Sequence, residues 1–268
     1  MSDTQLDEFK TRQRALWAAG EYEALSPYIT DVGELVVARA AVEPGMDVLD
    51  VACGTGNAAR PAARAGARVT GIDLVSKLLA VGRAKAEAEG LVIEWREGDA
   101  ENLPFEDGRF DRVLSTFGHM FAPRHKRTAD EMARVCRRGG AIVTATWLPT
   151  GTVGDVFRVG ADYLPPPPDY ASPPIFWGRE DHIRELFAGK ATAFEFEHHV
   201  NWIQWDSLEG FADFFMARFP LMVMAQNMLG DRFTEFRARI VDVWRRANTA
   251  KDGRLRVPQQ YLLSIVRV

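Results

Sequence analysis

The sequence predicts an α/β fold, a mostly parallel sheet with helices on both faces, and three observations carry that expectation. Val48, Leu49, Asp50 and Val51 form a short apolar β-forming run, followed by Gly54 and Gly56 and then an alanine-rich helical stretch at 58–67. Four such strand-like runs alternate with helical stretches before a fifth at 141–147, the pattern of a parallel sheet. Strand-like stretches at 192–204 and 254–268 then bracket two helical stretches, 207–229 and 231–248, which reads as an edge hairpin with helices laid over its top. The expected organisation is an N-terminal helical segment (1–43), a core (44–204 and 254–268) and a helical insertion (205–253) that forms a lid.

Residues 4–19 carry Leu6, Phe9, Leu16 and Trp17 at helical spacing, and a second helical stretch covers 31–41. This segment either packs on the sheet or folds Trp17 and Tyr22 over a ligand. Pro44-Gly45 turns the chain into the first strand. Gly54 and Gly56 allow a tight turn with close approach to the main chain, and Pro61 is tolerated in the first turn of the helix that follows. The second strand, 67–73, ends on Asp73, 19 residues beyond Gly54. An acid at that distance is placed to accept the hydroxyls of a ribose. A helix at 75–89 with Leu78, Leu79 and Val81 inward stops at Gly90.

Strand three (91–97) leads to Asp99, which belongs at the same sheet edge as Asp50 and Asp73. A carboxylate and a neighbouring amide there suit an adenine. Strand four occupies 108–115, and an apolar loop carrying His119 follows it. A charged helix at 125–138 closes on Gly139-Gly140 before strand five. Residues 148–178 are rich in glycine and proline and read as irregular, with Pro165 to Pro168 a stiff connector. A short helix covers 179–188. The first stretch of the insertion is rich in Phe and Met, which suits either ordinary packing or a wall that adapts to apolar ligands.

The 268 residues suffice for one large domain with an insertion, and a net charge of −4 argues against a nucleic-acid footprint. Two cysteines, Cys53 and Cys136, are too few for a disulfide framework, so a reduced, cytoplasmic setting is expected. No apolar run approaches a membrane span, the first residues do not read as a secretory signal, and the histidines lack metal-ligand spacing, so no membrane and no metal are expected. The oligomeric state is not legible.

The acids define the ligand. A pyrophosphate site needs amide donors free of competing charge, whereas this edge collects Asp50, Asp73 and Asp99 with no Lys or Arg between Val48 and Ala59. That favours an adenosine-bearing ligand with positive charge and no phosphate, as in S-adenosyl-L-methionine. Asp50 would meet its ammonium, the glycine amides its carboxylate, Asp73 the ribose and Asp99 the adenine.

On these residues the sequence resembles the class I S-adenosylmethionine-dependent methyltransferases, in the broad group containing the ubiquinone and menaquinone biosynthesis enzymes. The resemblance rests on Val48-Leu49-Asp50-Val51-Ala52-Cys53-Gly54-Thr55-Gly56, Gly71-Ile72-Asp73-Leu74, Gly98-Asp99-Ala100-Glu101-Asn102-Leu103-Pro104-Phe105, Phe110-Asp111 and Arg137-Arg138-Gly139-Gly140. Two positions depart from the family pattern: Ala52 replaces a glycine, and Arg138 the proline before the paired glycines. The resemblance implies a Rossmann-like, seven-stranded sheet with the last strand antiparallel. It implies a cofactor-facing set of Trp17, Tyr22, Asp50, Ala52, Gly54, Gly56, Asp73, Leu74, Asp99, Ala100, Ser115 and Phe117. It also implies methyl transfer yielding S-adenosyl-L-homocysteine but is nearly silent on the acceptor; the Phe- and Met-rich insertion is what suggests a small, apolar or aromatic one, methylated on O, N or C. His119, near where the methyl should point, is the candidate general base if one is needed. The alternatives are a nicotinamide-dependent oxidoreductase, which leaves Asp50 and Asp99 without a purpose, and a binding protein without turnover.

Overall fold

The computed structural model describes residues 3–268. The chain begins with helices α1 (Asp3–Ala19), α2 (Tyr22–Leu25) and α3 (Thr30–Arg39), α2 and α3 being joined by a 3-10 turn. Strand β1 (Asp47–Val51), helix α4 (Ala59–Arg64), β2 (Arg68–Asp73), α5 (Ser76–Ala88), β3 (Ile93–Glu97) and β4 (Phe110–Thr116) follow. Next come α6 (His125–Val135), β5 (Cys136–Trp147), α7 (Thr152–Tyr163), α8 (Glu180–Leu186) and β6 (Ala193–Trp205). Helices α9 (Leu208–Arg218), α10 (Pro220–Leu229) and α11 (Phe233–Ala247) precede the closing strand β7 (Leu255–Arg267).

The seven strands form one sheet in the order β3-β2-β1-β4-β5-β7-β6. Strands β1 to β5 pair in parallel, and β7 runs antiparallel to both β5 and β6. This is the predicted Rossmann-like arrangement, with the last strand reversed. Its central strands are covered on both faces, which is why Val48, Leu49 and Val51 are all buried and the run does not alternate. The strand order reverses between β1 and β4, and in an open parallel sheet the crevice beyond the carboxyl ends at such a point is where ligands bind. Register brings Val51 beside Ile72 and Asp73 beside Glu97, so residues 52, 73–74 and 98–100 come to one rim.

Two boundaries differ from the sequence reading. The helix expected to reach 138 ends at Val135, and β5 starts at Cys136, crossing Gly139 (φ +77°) within the strand. The paired glycines therefore mark an irregularity in β5, where its register with β4 shifts, instead of a helix stop. Residues 152–163, expected to be irregular, form α7. Its valines and two glycines have low helix propensity, and the helix is sustained by tertiary packing.

That packing belongs to a second apolar core. Val159 and Tyr163 of α7 join Phe211, Met222, Phe236 and Trp244 from the helices between β6 and β7. Phe236 is fully buried and meets the Tyr163 ring edge-on at 5.4 Å. The helical layer over the sheet edge thus includes α7, beyond the 205–253 segment read from the sequence. Among the described residues no helix is long and apolar enough to cross a membrane.

Candidate functional site

The loop between β1 and α4 is shaped by close backbone contacts. At Gly33 in α3 a Cβ would come 2.0 Å from the Asn57 carbonyl oxygen, so only glycine lets α3 press on this loop. Gly54 lies at φ +53°, and its N–H donates to Asp73 Oδ2 at 2.8 Å. The Val75 N–H donates to Asp73 Oδ1 at 2.9 Å, so one carboxylate ties the loop after β1 to the turn after β2. Burial raises the Asp73 pKa to about 6, against the opposing pull of its backbone donors.

Asp50 accepts from the Ala59 N–H through Oδ2 at 2.8 Å, while its Oδ1 is buried without a hydrogen-bond partner among the described residues. Burial pushes its pKa up to about 8, with the charge of Asp73 adding to the effect. Thr55 Oγ1 and Asn57 Oδ1 are likewise buried and unpartnered, and all three residues line the same cavity. All three unsatisfied oxygens belong to the stretch 50–57 at the rim.

The cavity has about 1780 Å3 of empty space with its open mouth included. One end is the carboxylate rim. Trp17, Tyr22, Asp50, Ala52, Gly54, Asp73, Leu74, Asp99, Ala100 and Phe117 all line the cavity. The other end is aromatic: Trp147 and Phe157 face Phe211, Phe214 and Phe215 of α9 and Trp244 of α11. Trp147 stacks on Phe117 at 3.7 Å and joins the two ends. Trp17 packs against Tyr22, Phe121 and Phe219, so α1 reaches both the rim and the helical layer.

Three expected site residues lie elsewhere. Gly56 turns away from the cavity: a Cβ there would meet the Trp95 ring at 2.7 Å. Ser115 does not line the cavity and serves the sheet, its hydroxyl donating to the Val51 carbonyl at 2.6 Å and accepting from the His119 N–H. The general-base expectation for His119 does not hold. Its ring is fully buried outside the cavity, edge-on to Trp177 at 4.6 Å, and burial lowers its pKa to about 3. His198 pairs with Glu180 and His199 stacks on Tyr261, so neither replaces it.

Asp99 lines the cavity while also being paired within the chain. Its Oδ2 pairs with Lys10 of α1, which lies 2.8 Å from Glu101 as well; Glu101 is fully buried and receives Arg124 at 2.9 Å. The third carboxylate is therefore compensated within the chain. Sequence reading missed Lys10 because 89 residues separate it from Asp99, with no local pattern to join them. Thr55 and Asn57 stood inside the glycine run, yet only folding revealed their unpaired oxygens.

Ala52, at φ +51°, holds a left-handed conformation that costs a residue with a Cβ about 1–2 kcal/mol. Ala52→Gly is expected to raise stability by about 1 kcal/mol, read from the midpoint of urea unfolding. A lower midpoint would show that the Ala52 methyl contributes more by packing than it costs the backbone.

Residues 48–140 match a family described as a methyltransferase domain. An uncharacterized protein of Mycobacterium tuberculosis, Rv1403c, is 48% identical over 178 residues, 66% of this chain and 65% of the relative's own length. The demethylmenaquinone methyltransferase of Thermus thermophilus is 35% identical over 150 residues, covering 53% of this chain and 68% of that protein. Among solved structures, a geranyl diphosphate methyltransferase in complex with S-adenosylmethionine superposes with a TM-score of 0.56 at 17% identity, over 89% of this chain and 85% of that one.

Proposed function

The chain belongs to the class I S-adenosylmethionine-dependent methyltransferases, and on that premise we propose that it methylates a small apolar or aromatic acceptor held in the aromatic end of the cavity. The observation that carries this reading is the division of one cavity into a carboxylate rim and an aromatic chamber. Bound at the rim, S-adenosylmethionine supplies a methyl group on a sulfonium, ready for in-line displacement.

The residues at the rim fit that cofactor. Asp50, Thr55 and Asn57 offer the unpartnered acceptors an ammonium needs. In this reading Asp73 accepts from the ribose hydroxyls and the 99–100 segment meets the adenine, while Trp17 and Tyr22 of the N-terminal segment exclude water above it. A dinucleotide fits worse. The amides that would hold a pyrophosphate already donate within the chain, Gly54 to Asp73, Gly56 to the Cys53 carbonyl and Ala59 to Asp50, and the expectation that the glycine amides meet the methionine carboxylate fails for the same reason.

In the chamber the chain's contribution is alignment and dryness. Ionisable side chains lining the cavity are three aspartates, Tyr22, Tyr28 and Cys53, with no histidine, lysine or glutamate among them. The acceptor thus arrives already nucleophilic, and proximity in a water-poor chamber supplies several kcal/mol of the barrier reduction. The helical layer of α7 and α9–α11 acts as the lid over the acceptor.

Calorimetry should detect S-adenosylhomocysteine binding, with no heat from a reduced nicotinamide dinucleotide. Transfer of labelled methyl to members of a panel of small aromatic acceptors then tests turnover. Binding of the dinucleotide in preference to the nucleoside would overturn the reading.

A further inference from the structure

We propose that Gln259 of β7 is the acceptor-positioning residue, and that the acceptor is therefore an apolar ring or chain bearing an oxygen that accepts a hydrogen bond. This deepens the methyl-transfer reading and rests on it for the identity of the chamber.

The argument is one of donor and acceptor accounting. Asn201 of β6 lies opposite Gln259 in the sheet register. Its amide nitrogen donates to the backbone carbonyl of Tyr28 at 3.1 Å and to Gln259 Oε1 at 3.2 Å. A backbone carbonyl can only accept, so it fixes which end of the Asn201 amide faces it. The nitrogen so fixed is a donor, and the Gln259 atom meeting it must be the oxygen. The Gln259 Nε2 is then the outward end of the amide, and no group among the described residues accepts from it.

Gln259 lines the cavity, two residues along β7 from Tyr261 and on the same face of the strand. Tyr261 itself packs edge-on to Phe117 and Trp147, the pair that joins rim to chamber. The cavity that Gln259 lines also includes Trp147, Phe211, Phe214, Phe215, Ile203 and Trp244, none of which supplies a strong acceptor. Two N–H groups pre-set by a relay, in aromatic surroundings, select a ligand with an acceptor at that point. A hydrocarbon of the same shape leaves them unpaired.

The test uses a near-isosteric pair, 2-acetylnaphthalene and 2-ethylnaphthalene, with the full-length protein saturated with S-adenosylhomocysteine, followed by equilibrium dialysis. The wild type should bind the ketone roughly tenfold more tightly than the hydrocarbon. In Gln259→Leu and Gln259→Met the preference should vanish while hydrocarbon affinity is retained, a pattern that general damage to the chamber would not produce. Gln259→Glu, which turns an acceptor toward the ligand, should also lose it. Equal binding of the pair by the wild type, or a preference surviving in either apolar variant, overturns the assignment. The comparison within the wild type stands even if a variant fails to fold. Failure of S-adenosylhomocysteine to bind would instead strike the methyl-transfer reading, and calorimetry reports that separately from the ketone preference.

Discussion

Asp73→Ala is expected to weaken S-adenosylhomocysteine binding about a hundredfold or more. The carboxylate has two tasks. It accepts from the amides of Gly54 and Val75, at 2.8 and 2.9 Å, and so sets the loop that cradles the ligand. In the proposed complex it also accepts from the ribose hydroxyls. Hydrogen bonds to a charged group are worth about 1.5–3 kcal/mol each, and losing two of them gives the expected factor. Alanine removes both tasks, whereas Asp73→Asn keeps one acceptor oxygen and should fall between alanine and wild type. Titration calorimetry provides the measurement. Unchanged affinity in Asp73→Ala would sink the ribose assignment. A lower unfolding midpoint without ligand is expected in the same variant, because two buried amides lose their acceptor.

Binding of S-adenosylhomocysteine should follow a bell-shaped pH profile with its maximum above pH 8. The acid limb comes from Asp50, whose pKa burial raises to about 8. To meet an ammonium it must be ionised, so below pH 8 binding releases a proton. Affinity then falls by up to about tenfold per pH unit. The basic limb comes from the ligand's own α-amino group, which as part of a free amino acid titrates above the ~8 of a peptide amino terminus and which binding must keep protonated. Calorimetry in buffers of different ionisation enthalpy should register proton release at pH 6 to 7, and Asp50→Asn should remove the acid limb. A flat profile between pH 6 and 8 would exclude Asp50 from the ammonium site.

Without ligand the same shifts act on stability with the opposite slope. Asp50 and Asp73 have folded pKa values of about 8 and about 6, both above the ordinary 3.8. The folded state therefore holds more protons. Their stabilisation is fully present below pH 3.8 and is lost as pH rises, through about 6 for Asp73 and about 8 for Asp50. The rise in unfolding midpoint produced by S-adenosylhomocysteine should consequently be larger at pH 8 than at pH 6.

Local chemistry made much of the molecule legible. The run from Val48 to Val51, the two glycines after it and the acid 19 residues on each express a short-range rule, and all of them appear in the folded chain where those rules place them. The closing pair of strands was legible for the same reason, since alternation over 192–204 is a property of neighbouring residues. Helix α7 was hidden because β-branched residues and glycines argue against a helix locally, and its stability comes from Phe236 and α11, more than 70 residues away.

The sequence by itself determined the class of fold, the rim at the carboxyl ends of the parallel strands, and the cofactor chemistry suited to acids placed there. Periodicity, turn chemistry and acid spacing act over a few tens of residues and can be read along the chain. Only the tertiary structure decided which side chains face the cavity. It buried His119 against Trp177, gave Asp99 a partner in Lys10, and set the Gln259 amide through Asn201 and the Tyr28 carbonyl. Burial and hydrogen-bond pairing depend on elements that meet only after folding, and no spacing rule carries that information.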